Sequence, residues 1–135
     1  MTYLLDTNVW VTLLRNTSNE VASRFHTAAP TGDVRVCSIV RAELRYGALC
    51  SAKPAANRAA VDALLAPHPS LPFDDTAADQ YAALREYLEG LGQVIGPLDL
   101  QIAAIALANG CTLVTHNTSE FGRVPGLVVE DWQVP

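Results

Sequence analysis

Three acidic residues stand where the surrounding pattern asks for something else. Asp6 ends the apolar run Tyr3-Leu4-Leu5, and a helix-like pattern (Val9, Leu13, Leu14) begins directly after it. Glu43 has Ile39, Val40, Tyr46 and Gly47 as its neighbours one helical turn away, while Arg41 and Arg45 mark a separate polar face. The spacing therefore predicts Glu43 inside a core-facing stripe, where an unpaired carboxylate is costly. Asp99 repeats the anomaly, with Ile102, Ala103 and Ala106 along its face. Each acid also has a plainer explanation. Asp6 could cap the following helix, Glu43 could pair with an arginine, and Asp99 could complement a helix dipole. Taken together they suggest more, because carboxylates that converge repel unless a cation sits among them. A set of oxygen ligands alone favours a hard cation, Mg²⁺ or Mn²⁺.

For these acids to meet, the elements carrying them must bring them to one edge of the fold. Tyr3-Leu4-Leu5, Asp33 to Cys37 and Cys111 to Thr115 read as strands, with Leu71-Pro72-Phe73 and Val128-Val129-Glu130 as shorter candidates. Between them lie helical patterns. They run through Val21 to Ala28, Ile39 to about Cys50 with Ser38 as cap, Ala55 to Leu65, a long helix led by Asp74-Asp75-Thr76, and Leu98 to Ala108 after Pro97. Asn16 to Asn19 reads as a turn, Asn109-Gly110 as a helix stop, and His116 to Glu120 as a polar turn. Strands alternating with helices imply an α/β fold with a mainly parallel central sheet flanked by helices. In such a sheet ligands bind outside the carboxyl ends of the strands, and Asp6 falls at such an end.

Composition narrows the classes. The 135 residues are expected to form one domain, residues 1–135, with no internal repeat or linker. Half are hydrophobic and 17% charged, which argues against global disorder. No apolar run reaches the roughly 20 residues of a membrane span, and the start lacks the basic segment of a signal peptide. The expectation is a cytoplasmic protein with no membrane association. Cys37, Cys50 and Cys111 are widely spaced, form no CxxC pair and read as reduced core residues. His26, His68 and His116 are equally scattered, which gives no zinc pattern. A net charge of −5 argues against a general basic nucleic-acid binder. It leaves room for a nuclease whose acids surround a metal. No GxGxxG follows a strand, so dinucleotide binding has no support.

Four segments in order carry a resemblance: Leu4-Leu5-Asp6-Thr7-Asn8, Glu43-Leu44-Arg45-Tyr46-Gly47, Ile95-Gly96-Pro97-Leu98-Asp99 with Ile102-Ala103-Ala104, and Leu113-Val114-Thr115-His116-Asn117. Together they resemble the PIN-domain ribonucleases. The tail from Phe121 to Trp132 is similar to that of the VapC toxins of bacterial toxin–antitoxin pairs. The resemblance spans Met1 to Trp132, with Ala52 to Gln93 its least distinctive part. It implies a PIN-like fold and an endoribonuclease site in which Asp6, Glu43 and Asp99 hold Mg²⁺ or Mn²⁺ for RNA hydrolysis. It also implies a homodimer restrained by a small cognate antitoxin. Many relatives carry a fourth acid where this chain has Asn117, which leaves one metal or two open. Glu120 is near enough in sequence to substitute, but we read it as a solvated turn residue.

The chemistry suits the residue types. Phosphodiester hydrolysis needs charge neutralised at the phosphoryl oxygens and an activated water, and a bound divalent ion supplies both. Thr7, Asn8, Thr115 and Asn117 are neutral hydrogen bonders at strand ends, suited to positioning acids, waters or substrate, or simply to capping and turns. Arg15, Arg41, Arg45 and Arg123 could meet phosphates but are left out of the site. Asp6-Thr7-Asn8 also resembles the start of aspartate-nucleophile phosphatases. Those enzymes want a second Asp where Asn8 stands and a lysine in the site, and the only lysine here is Lys53. The remaining alternatives are a housekeeping nuclease without a toxin role and a non-catalytic domain that binds a partner or RNA.

Overall fold

The computed structural model describes residues Met1–Pro135. At its centre is the short strand β1 (Tyr3–Leu5), whose Leu4 and Leu5 are completely buried. Such apolar residues in succession fit a strand covered on both faces. β2 (Val34–Cys37) and β4 (Thr112–Val114) lie on either side of it, with β3 (Ser70–Leu71) beyond β2 and β5 (Val129–Glu130) beyond β4. The order is β3-β2-β1-β4-β5, and every pairing is parallel. The sheet is thus wholly rather than mainly parallel. The third strand is Ser70–Leu71 instead of Leu71–Phe73, because Val36 N–H donates to Pro69 O (3.0 Å) and so fixes an earlier register.

Seven helices cover this sheet: α1 (Thr7–Arg15), α2 (Asn19–Ala28), α3 (Ser38–Leu49), α4 (Pro54–Leu65), α5 (Asp75–Gly90), α6 (Pro97–Ala108) and α7 (Thr118–Phe121). α6 is apolar all round, and its Leu100 and Ile102 to Ala106 are buried, as expected of a helix with protein on every side. It packs against α5 and α3 and so carries Asp99, in its first turn, from the core to the sheet edge. Trp10 on α1 is fully buried. Its indole N–H donates to Leu5 O at 3.2 Å, and its ring meets Phe25 and His68 at 5.8 and 5.6 Å. These contacts fix α1 against the end of β1. α1 stops where Asn16 enters the left-handed region (φ 54°), tolerable for Asn.

Four other sequence expectations need correction. Ser38 opens α3 rather than capping it; the cap position is Cys37, which makes no side-chain cap bond. Cys50 is exposed, since α3 ends just before it, while Cys37 and Cys111 are buried; all three are free thiols. Tyr46 and Gly47 are exposed, and the buried stripe of α3 is Val40, Leu44 and Ala48. The polar turn after β4 coils into α7, anchored by the fully buried Phe121. No helix is long and apolar enough to cross a membrane.

Candidate active site

The chain winds from β1 to β2 and β3 on one side, then returns to lay β4 and β5 on the other. The order therefore reverses between β1 and β4, and such a reversal opens a crevice at the strand ends. Asp6 and Thr115, the residues directly after β1 and β4, meet there. Thr115 Oγ1 donates to Asp6 Oδ2 at 2.9 Å. The other Asp6 oxygen accepts from Thr7 N–H at 2.8 Å, so Asp6 is also the N-cap of α1. Capping and a place in the crevice coexist because a carboxylate has two oxygens.

Glu43 reaches the same crevice from α3, held by Thr7 Oγ1, which donates to Glu43 Oε1 at 2.8 Å. It lies at the margin of the buried stripe and is half-buried, with Leu44 behind it and Tyr46 and Gly47 open to solvent. No arginine pairs with it. Arg45 turns instead to Asp62 on α4 (2.9 Å). Asp99 enters from α6, half-buried and without a side-chain partner. A fourth acid joins them. Glu120 on α7 is half-buried, and Asn117 Nδ2 donates to its Oε2 at 3.0 Å.

The electrostatics show that these four groups share one space. Asp99 is pushed up to about 6, first by burial and then by the charges of Asp6, Glu120 and Glu43. Asp6 is also raised, chiefly by burial, against the lowering effect of its bonds to Thr115 and Thr7; Glu43 and Glu120 add to the rise. None of the four takes part in an ion pair. They do not close into a cage of three or more direct metal ligands. Four oxygen donors without a cation nonetheless match what Mg²⁺ or Mn²⁺ requires, since such an ion keeps several of its waters and needs only some direct carboxylates.

The structure thus brings together Asp6, Glu43, Asp99, Thr7, Thr115 and Asn117, and leaves Asn8 on the crevice rim, exposed. Glu120 corrects the sequence reading, which treated it as a solvated turn residue. No sequence pattern marks it: the coiling of Thr118–Phe121 with Phe121 buried, seen only in the fold, leaves Glu120 half-buried beside the other acids. Asn117 orients a carboxylate, that of Glu120. Its own N–H donates to Thr115 Oγ1 (3.0 Å), so Asp6, Thr115, Asn117 and Glu120 form one chain of hydrogen bonds. Lys53 lies exposed at the start of α4, as a phosphatase site would not allow. Thr115→Val removes the hydroxyl that donates to Asp6 and accepts from Asn117 N–H. We expect it to cost about 1.5–3 kcal/mol, the range for a hydrogen bond to a charged group, measured by urea unfolding at neutral pH.

Two recesses flank Glu43. One, ≈ 310 Å³, runs between α1, α3 and α4 past Val11, Leu14, Leu44 and Val61. The other, ≈ 420 Å³, is walled by Ile39, Ala42, Tyr46 and Leu98. On the Asp6–Glu120 side a third opens, with Asn8, His116, Asn117 and Gln133 at its wall.

Comparison with known proteins gives a consistent picture. The PIN domain family matches residues 3–127. Ribonuclease VapC2 of Rickettsia felis is 36% identical over 132 residues, 98% of each chain. The tRNA(fMet)-specific endonuclease VapC of Shigella flexneri is 35% identical over 130 residues, 96% of this chain and 97% of that one. Among solved structures, that of VapBC2 from Rickettsia felis bound to a DNA fragment from its promoter superposes with a TM-score of 0.91 at 36% identity. The match covers 98% of this chain and 99% of that one.

Proposed function

This chain belongs to the PIN-domain family, alongside the VapC ribonucleases, and from that premise we propose that it is a divalent-metal-dependent endoribonuclease, the toxin of a toxin–antitoxin pair. The observation that carries this reading is the group of four carboxylates with no cation of the chain's own at the switch point of the sheet. A site kept for folding alone would pair such charges or expose them, because half-buried like charges weaken the fold.

Asp6, Glu43 and Asp99 would hold Mg²⁺ or Mn²⁺, with Glu120 completing the oxygen set. When bound, the ion neutralises phosphoryl charge and lowers the pKa of a water. The protein supplies placement. Thr115 and the Thr7 amide fix both oxygens of Asp6, Thr7 Oγ1 fixes Glu43, and Asn117 fixes Glu120. Asp99 alone is unrestrained by a hydrogen bond, which leaves it free to turn toward the ion or toward a water beside it.

The partner reading rests on the groove beside Glu43. Its apolar walls and the acid at its end suit an antitoxin segment that lays side chains along α1, α3 and α4 and brings a basic group to the carboxylates. Assembly as a homodimer and a cytoplasmic location complete the proposal. Exposed Tyr46, Leu49, Leu91, Val94 and Leu98 offer apolar surface for self-association.

The test is direct. Purified protein should cut RNA internally when Mg²⁺ or Mn²⁺ is present and stop when chelator is added. Expression without its antitoxin should arrest growth, and co-expression of a small partner encoded beside it should restore growth. RNA cleavage that persists in chelator would overturn the metal-dependent mechanism. Harmless expression of an active enzyme would favour the housekeeping nuclease.

A further inference from the structure

The third recess has a lining unlike the other two. Asn8, Thr12, His116, Asn117 and Gln133 bring hydrogen-bonding side chains to a space of ≈ 400 Å³, within the range of small-ligand sites. Val9 and Val21 supply its apolar surface. No lysine or arginine lines it, and Glu120 and Asp131 are bonded to three of its members, so the surroundings disfavour a phosphate. What fits is an uncharged flat ligand that offers donors and acceptors at its edge and apolar faces to either side. A nucleobase has this character, and single-stranded RNA presents its bases in this way.

The recess adjoins the acidic crevice through Asn117, which lines the one and is bonded to Glu120 of the other. Asn8 is two residues beyond Asp6, and Asn117 belongs to the hydrogen-bonded chain from Asp6 to Glu120. Two of the liners are already held in place. His116 Nδ1 lies 2.9 Å from Asp131 Oδ2, and Gln133 N–H donates to Asp131 Oδ1 at 2.9 Å. Asp131 thus fixes a ring and an amide-bearing residue together, while its own charge is engaged by both. Asn117 commits its Nδ2 to Glu120, which leaves its carbonyl oxygen as an acceptor. Asn and Gln amides combine a donor and an acceptor, the pairing that reads base edges.

Resting on the ribonuclease reading, we infer that this recess holds one nucleobase next to the scissile phosphate and sets the base preference at the cut. Gln133 and His116 are its specificity-determining residues. Gln133 supplies hydrogen bonds to the base edge, and His116 supplies a ring to stack on.

The experiment is cleavage of a randomised RNA pool with Mn²⁺, read by sequencing the new ends, for wild type, Gln133→Ala and His116→Ala. Both positions lie outside the core, and thermal melting verifies the fold of each variant. Wild type should show a base preference at one nucleotide beside the cut, and each variant should flatten it about tenfold. A second substrate, carrying an abasic sugar at that nucleotide, should be cut by all three proteins at similar rates, because the lost contacts are with the base. Cleavage by wild type with an unchanged base profile in both variants overturns the recess and leaves the ribonuclease reading intact. Variants that cut the abasic substrate more slowly than wild type assign the recess to the sugar, which overturns the base assignment. A wild type that cuts no RNA overturns both readings.

Discussion

Asp6→Asn, Glu43→Gln and Asp99→Asn should each abolish metal-dependent RNA cleavage while leaving the fold in place. The structure gives reasons to expect retained folding in each case. Asn caps a helix about as well as Asp, so α1 keeps its start. Gln can still accept from Thr7 Oγ1. Asp99 makes no side-chain hydrogen bond that Asn would lose. What each change removes is one negative charge from the set that holds the cation. Loss of an outer partner of a metal ligand typically costs 10–100-fold, and loss of a ligand should exceed about 100-fold. Single-turnover cleavage of a labelled RNA by folded protein, with melting curves alongside, checks this. Undiminished cleavage in all three would place the chemistry elsewhere.

The second large effect runs the other way. In chelator at neutral pH, Asp99→Asn should melt higher than wild type. Asp99 has a folded pKa of about 6, raised from 3.8. A carboxyl raised in the fold contributes its stability in full below the unfolded value, and that contribution is lost as pH rises through about 6. At neutral pH the wild type therefore carries a strained charge that Asn lacks. Solvent reaches this half-open site and screens it, so the relief is about 1 kcal/mol, or roughly 3–5 °C for a domain of this size. The gap should narrow as pH falls below about 6 and close only near 3.8, where Asp99 is protonated in the folded and unfolded chains alike. His68 is pushed down by burial and then by Arg35, so it works with opposite sign, but it is common to both proteins and cancels in the comparison. Saturating Mg²⁺ should shrink or reverse the gap by binding the wild type more tightly. A variant that melts clearly lower in chelator would make Asp99 a structural residue.

The three acids were legible because each breaks a pattern. An apolar strand that ends in Asp6, or a carboxylate at helical spacing from apolar residues, stands out against a regular period. The parallel sheet was legible for the same reason: Leu4-Leu5 and Leu113-Val114 are apolar in succession, as a sheet covered on both faces demands. Glu120 broke no pattern, since it sits in a polar stretch where an acid is ordinary. Only the fold shows it turned toward Asp99, through a four-residue helix too short to leave a period in the sequence. Tyr46 and Gly47 misled for the opposite reason. An aromatic and a glycine on a helix suggest a core stripe, yet here α3 meets its neighbours along Val40, Leu44 and Ala48, rotated away from them. That rotation is what opens Glu43 to the crevice.

The hydrogen bond from Thr115 to Asp6 joins positions 109 residues apart. A ribosome makes the central strand first and must then deliver nearly the whole chain before β4 and Glu120 can close around it. At roughly 5–20 residues per second, Asp6 waits on the order of 5–20 s for its hydroxyl partner, and for that interval the growing polypeptide has no assembled acidic crevice. Pairing of such distant segments is also slow to form. A chain built this way gathers its four acids only when its synthesis is nearly complete, and truncation before Thr115 leaves an unfinished sheet.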